Sequence, residues 1–225
     1  MFHEVFSLKL DTAGPMAAPT YYTFASFLGE EVAATYLTLP RRPQIAHFEA
    51  YLAYLQAEQV QFPTSKRATK CHAVPRATST SQSTALPLLP SLLEGSTISG
   101  FGVCGSPEGF LPQLSLSMRA AHLATDINHT YVVENDSVLN SRSFMFGWCH
   151  AEKQKLVDIH HKLLDAAASS EYWEHLRLVV DRAMCPDCVA FVSAYAAHHK
   201  VDVFVQDPDG ERRFTASGAV EQKTA

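Results

Sequence analysis

The chain is short of the features that would carry it into a membrane or out of a cell. In its 225 residues no apolar run approaches the roughly 20 residues a bilayer span requires. The opening stretch MFHEVFSLKLDTAG has acidic residues where a signal peptide has a basic start and a long apolar core. An intracellular location, whether cytoplasmic, nuclear or organellar, is the expectation, with no membrane partner. Cysteines are few and odd in number, five in all, too sparse for the disulfide framework of a small secreted scaffold. Basic charge is also in deficit: 18 Lys and Arg against 23 Asp and Glu give −5, which argues against a nucleic-acid binder with a wholly basic surface but leaves room for a local basic groove. What the chain does have is 47% hydrophobic residues, enough for one sizeable core with a helical appendage.

Apolar residues recur at helical spacing early on (Phe24, Phe27, Leu28, Val32, then Ile45, Phe48, Leu52, Leu55), with PRRP between the two sets, and predict a helical segment over residues 1–62. Residues 63–92 change character. Ser, Thr and Pro dominate, periodicity is lost and Lys66, Arg67, Lys70 and Arg76 supply the charge, so a basic linker is expected there. Residues 93–225 then form the main domain. LPQLSLSMRAAHLATDINH has a helical pattern, and TYVVENDSVLNS that of a hairpin turning at END. HAEKQKLVDIHHKLLDAA puts Leu156, Ile159, Leu163 and Ala167 on one helical face. HLRLVVD is short, apolar and β-branched enough for a buried strand, CPDCVAFVSAYAAHH returns to helix, and KVDVFVQDPDGERRF alternates into a DPDG turn.

Two of these segments hold the chemistry. His150 opens one helix, in GWCHAEK, while Cys185 and Cys188 occupy the first turn of another, in AMCPDCV. Residues three apart on a helix share a face, so the two thiols converge. One imidazole and two thiolates suit zinc and leave one tetrahedral position for water. Helix N-termini favour thiolate over thiol, and Pro186 is harmless in a first turn, where its missing N–H has no intrahelical partner to lose. Glu152 separates a catalytic site from a structural one. In H-A-E beside a Cys-x-x-Cys helix, a Glu that is not a ligand takes a proton from the attacking water and delivers it to a ring nitrogen and then to a leaving amine. A C-x-x-C between strand and helix also describes a redox dithiol, and a solvated first-turn Glu is common in any helix.

The H-x-E and C-x-x-C pair resembles the zinc-dependent cytidine deaminase superfamily. The details CHAEK, LRLVVDRAMCPDC and VDVFVQDPDGERRF look most like the DYW-type nucleic-acid deaminases, over about the last third of the chain. The resemblance implies an α/β, three-layer cytidine-deaminase-like fold: a mixed central β-sheet flanked by helices, here with an N-terminal helical segment. It implies one zinc per chain on His150, Cys185 and Cys188, Glu152 as proton shuttle, and hydrolytic conversion of cytosine to uracil in nucleic acid. Lys153, Asp187 and Arg213 also fall on family-pattern positions, without an implied role. The chain ends in TASGAVEQKTA, without the Cys-containing tail that closes on D-Y-W, so a second zinc is not expected.

Other residues carry weaker signals. Lys66, Arg67, Lys70, Arg76, Arg212 and Arg213 are candidates for phosphate contact, and Trp148 for a wall of the base pocket. A base must leave its stack to enter such a pocket, so single-stranded DNA or RNA is the expected partner. A free (deoxy)cytidine deaminase and a non-catalytic zinc-stabilised interaction module are the alternatives. Cys149 is expected in the core, and His160, His161, His198 and His199 at the surface.

Overall fold

The computed structural model describes residues 23–58, 67–76, 86–103, 105–131 and 147–223. The N-terminal helices form where the apolar spacing predicts them, with one more break. Helix α1 (Phe24–Leu28) is capped by the Thr23 hydroxyl, which accepts the Ser26 N–H at 3.1 Å. It stops at Gly29, whose φ of +78° favours glycine, and α2 (Glu30–Thr35) follows at once. Pro40 precedes α3 (Arg41–Ala57), and Pro43 lies in its first turn, where it costs no helical hydrogen bond. Ile45, Phe48, Tyr51, Leu52 and Leu55 give α3 its buried face. These helices share one continuous core with the rest of the chain.

The expected linker over 63–92 is not one, as far as residues 67–76 and 86–92 describe it. Strand β1 (Lys70–Pro75) is hydrogen-bonded on both sides, antiparallel to β2 (Thr97–Ile98) and to β3 (Leu176–Val180). Its polar composition is compatible with a strand because the side chains alternate. Cys71 and Ala73 are buried while Lys70 and His72 face out, and the ladders satisfy the backbone. Helix α4 (Leu89–Leu93) occupies the end of the same stretch, with Leu92 in the core.

The remaining elements follow the expected order: α5 (Gln113–Asp126), α6 (Ala151–Asp165), a 3-10 turn over Ser170–His175, β3, α7 (Pro186–His199), β4 (Val203–Asp207), β5 (Gly210–Phe214) and β6 (Val220–Lys223). The hairpin expected at TYVVENDSVLNS lies, beyond Tyr131, outside the described residues. Strand order is β2-β1-β3-β4-β5-β6. Among the described strands only β3 and β4 run parallel, joined through α7, and the other strand pairs are antiparallel, so the sheet is mixed and flanked by helices as expected. Leu156, Ile159 and Leu163 face the core from α6, but the helix ends at Asp165, and Ala167 sits exposed in a left-handed turn (φ +47°). Among the described residues no helix is long and apolar enough to cross a membrane.

Candidate metal centre and active site

The sheet sets the site by bringing two helix starts together. Helix α7 begins just beyond the C-terminal end of β3, and two contacts fix the loop between them, one of them buried. Asp207, at the end of β4, accepts the Met184 N–H at 2.9 Å, and Asp181 accepts the Lys70 N–H at 2.8 Å. Cys185 is the N-cap of α7, its sulfur accepting the Cys188 N–H at 3.4 Å, and Pro186 fills the first helical position. His150 is the N-cap of α6 but its ring does not cap the helix, which leaves the imidazole to face the cysteines. Its Nδ1 lies 3.2 Å from Cys188 Sγ and 3.4 Å from Cys185 Sγ.

The start of α6 is held just as firmly. The Ala151 N–H, a first-turn donor without a helical partner, donates to the Ser99 hydroxyl at 2.9 Å, and the Thr97 hydroxyl donates to the Ala151 carbonyl at 2.7 Å. The buried Gln154 amide donates to the carbonyls of Gly100 and Cys149 and to the Ser117 hydroxyl. None of these supports carries a sequence signal of its own.

The ligand atoms of His150, Cys185 and Cys188 lie within 4.8 Å of one another, and no other His, Cys, Asp or Glu joins them among the described residues. Zinc–nitrogen and zinc–sulfur bonds of about 2.0–2.3 Å place neighbouring ligand atoms at such spacings, so the trio can hold one metal ion. Electrostatics agree. The hydrogen bond from Cys188, with help from His150, pulls the Cys185 thiol down to about 4. Burial pushes Cys188 well up, so in the metal-free pair Cys185 holds the charge. Glu152, only 3% exposed, has its Oε2 buried with no hydrogen-bond partner, and burial raises its carboxyl above the ordinary range. An orphaned carboxylate oxygen one residue past Ala151 suits a group that handles protons rather than one that props up the fold.

Comparison with known proteins adds one match. Residues 96–156 match the family described as single-strand DNA deaminase toxin A, C-terminal. The matched stretch runs from β2 through α5 to the second turn of α6. It therefore contains His150, Glu152 and most of the supports around them (Thr97, Ser99, Gly100, Ser117, Gln154), and it stops short of the cysteines. The match supports a nucleic-acid deaminase. No curated protein matches the chain.

The substrate candidates do not gather into one groove. Trp148 is buried, packed edge-on to Phe48 at 4.9 Å and Tyr131 at 6.4 Å, so it belongs to the core between α3 and the motif. Arg212 is buried on Asp207 and reaches Asp209, which makes it a support for the loop before Cys185 rather than a phosphate contact. Arg213 is exposed but paired with Asp202 at 2.6 Å and Glu221 at 3.2 Å. Arg76, at the opposite end of β1 from Lys70, stacks 3.5 Å over the Phe204 ring and donates to the Glu174 carbonyl. Arg67 and Lys70 are exposed, Lys70 at the sheet end that leads into the cysteine loop, and Lys66 lies outside the described residues. Cys149 is buried as expected, its thiol pushed by burial up to about 12. His160 and His199 differ from expectation. They pack with Tyr195, His160 Nδ1 sharing a 3.0 Å hydrogen bond with its hydroxyl.

Proposed function

We propose that this chain is a zinc-dependent hydrolytic deaminase that converts cytosine to uracil in single-stranded DNA. The observation that carries the reading is the convergence of His150, Cys185 and Cys188 beside the buried, unpartnered carboxylate oxygen of Glu152. The family match favours a single DNA strand as substrate, and it favours DNA over the RNA that the DYW-type resemblance leaves open. When bound, zinc supplies Lewis acidity, lowering the pKa of water toward ~7.

The chain's own groups do the rest. Glu152 takes a proton from the water that attacks the amine-bearing ring carbon, and passes it to the adjacent ring nitrogen. It then carries the second proton to the amine, which leaves as ammonia. Its raised pKa suits both halves of this duty, since a carboxyl held above the usual range gives up and retakes a proton closer to neutrality. An unstacked base from a single strand reaches such a site more easily than one in a duplex.

The test is uracil formation by zinc-loaded protein on cytosine-containing single-stranded DNA, the matching RNA, duplex DNA and free deoxycytidine. Single-stranded DNA is expected to turn over fastest. Glu152→Gln is expected to keep zinc and fold while losing at least 10²-fold in turnover, in line with the usual worth of a positioned acid–base group, about 10²–10⁴. Near-normal turnover by that variant would remove Glu152 from the mechanism. Preference for free deoxycytidine would move the chain to the nucleoside class, and failure on every substrate would favour an interaction module.

A further inference from the structure

Beside the metal centre lies a second buried cluster that the deamination chemistry does not use. Lys153 follows Glu152 in the first turn of α6, and Asp187 stands between the two ligand cysteines at the start of α7. His129 comes just after α5. Lys153 Nζ donates to Asp187 Oδ2, and His129 Nε2 meets Asp187 Oδ1 at 3.0 Å, so both carboxylate oxygens are engaged. The side chains are 0%, 5% and 2% exposed in the order Lys153, Asp187, His129. Aromatic rings close the cluster: Lys153 Nζ lies 5.0 Å from the Phe191 centroid and 5.6 Å from that of Tyr131, and His129 stands edge-on to Phe191 at 5.2 Å.

Stability alone is a poor account of such a group. Taking a lysine and an aspartate out of water is costly, and apolar residues of similar volume commonly serve the fold as well or better. What apolar packing does not supply is a single register. The ion pair forms only when the first turns of α6 and α7 sit at one separation and one rotation, the arrangement that also brings His150 opposite Cys185 and Cys188. The hydrogen bond from His129 fixes Asp187 against the turn after α5 as well, so two helices and that turn are tied at one carboxylate.

We propose that Lys153, Asp187 and His129 are positioning residues that hold the two ligand-bearing helices in register and so set the affinity of the metal centre. The proposal rests on the reading of His150, Cys185 and Cys188 as zinc ligands. Groups that orient metal ligands without touching the ion typically contribute 10–100-fold in metal affinity. An effect of that size is expected here, separate from any effect on folding.

The experiment measures zinc affinity of the full chain by competition with a chromogenic chelator, and thermal unfolding of the metal-free protein alongside. Lys153→Met/Asp187→Leu, which removes both charges together, is expected to unfold within a few degrees of the parent but to bind zinc about 10–100-fold more weakly. His129→Leu, distant in sequence from every ligand, is expected to weaken zinc binding severalfold, and His129→Gln, which can still donate to Asp187, to restore most of it. The His129 pair decides the matter if the double variant does not fold. A parent that binds zinc and variants that match it within threefold would overturn the proposal while leaving the metal centre standing. A parent that binds no zinc would overturn the metal centre, and this proposal with it.

Discussion

Replacing Gly147 by alanine tests the packing behind the His-x-Glu motif, because the space for a side chain there is already taken. A Cβ on Gly147 would meet Cζ and Oη of Tyr131 at 2.6 Å, and closer still its Cε2, whereas ordinary contacts begin near 3.4 Å. The backbone itself permits alanine, since Gly147 is not among the residues of positive φ. The ring must therefore retreat by more than about 1 Å, against Trp148, which is itself wedged on Phe48. Overpacking of this kind costs about 1–3 kcal/mol, offset by about 0.4–1 kcal/mol from the lost backbone freedom of glycine in the unfolded chain. The net is a loss of up to about 2.6 kcal/mol, or up to roughly 10 °C in Tm for a chain of this length. Differential scanning calorimetry on Gly147→Ala, Tyr131→Ala and the pair would measure it. In the Tyr131→Ala background the clash is gone, so adding Gly147→Ala should be neutral or slightly stabilising, a coupling of about 1–3 kcal/mol. An equal loss of Tm in both backgrounds, or no loss in either, would refute the steric argument.

Arg212→Met should cost about 3–5 kcal/mol in urea unfolding, because it leaves the Asp207 carboxylate buried without its guanidinium, and a change below about 1 kcal/mol would show that Asp207 finds other compensation. Stability should fall in acid partly through His160, whose ring burial, reinforced by His199 and His161, lowers to about 4 from 6.5. Between those values the unfolded chain holds the extra proton, so this contribution is complete above pH 6.5 and fades as the pH drops toward 4. With the ring half-solvated it amounts to about 1–2 kcal/mol, and His160→Gln should flatten that part of the curve. Treatment with a strong chelator should lower Tm, with zinc restoring it and magnesium not, if an ion on His150, Cys185 and Cys188 ties α6 to α7 as proposed; an unchanged Tm would count against a metal that joins them.

The parts of this fold that were legible in the sequence are those whose signals are local. The α6 and α7 starts, the β3 run and the DPDG turn each depend on a few adjacent residues, and the convergence of His150, Cys185 and Cys188 was legible because few residue types suit a soft-to-borderline ion. Strand β1 was hidden for the opposite reason. Its inward residues, Cys71 and Ala73, are too small to raise a pattern above the surrounding Ser, Thr and Pro, and its partners lie far along the chain. The arginines showed their charge but not their partners, which the hairpin of β4 and β5 brings in from Asp207 and from Asp202 just before it. Thr97, Ser99, Ser117 and Gln154 act on backbone groups that only the folded chain presents to them.

The place of β1 also bears on when this protein becomes a protein. Its ladder joins Cys71 to Val180, and the Lys70 N–H finds its acceptor on Asp181, 111 residues downstream. A chain emerging from the ribosome can wind α1 to α3 early, but the middle of its sheet must wait for β3, and the parallel partner of β3 arrives later still. Closing so long a loop before its contacts repay it is slow, and it leaves the edges of β1 bare in the interval. His150, Cys185 and Cys188 also lie far downstream of β1, so the group cannot assemble until Cys188 has been made. Synthesis of these residues and their convergence are thereby separated in time, by topology alone.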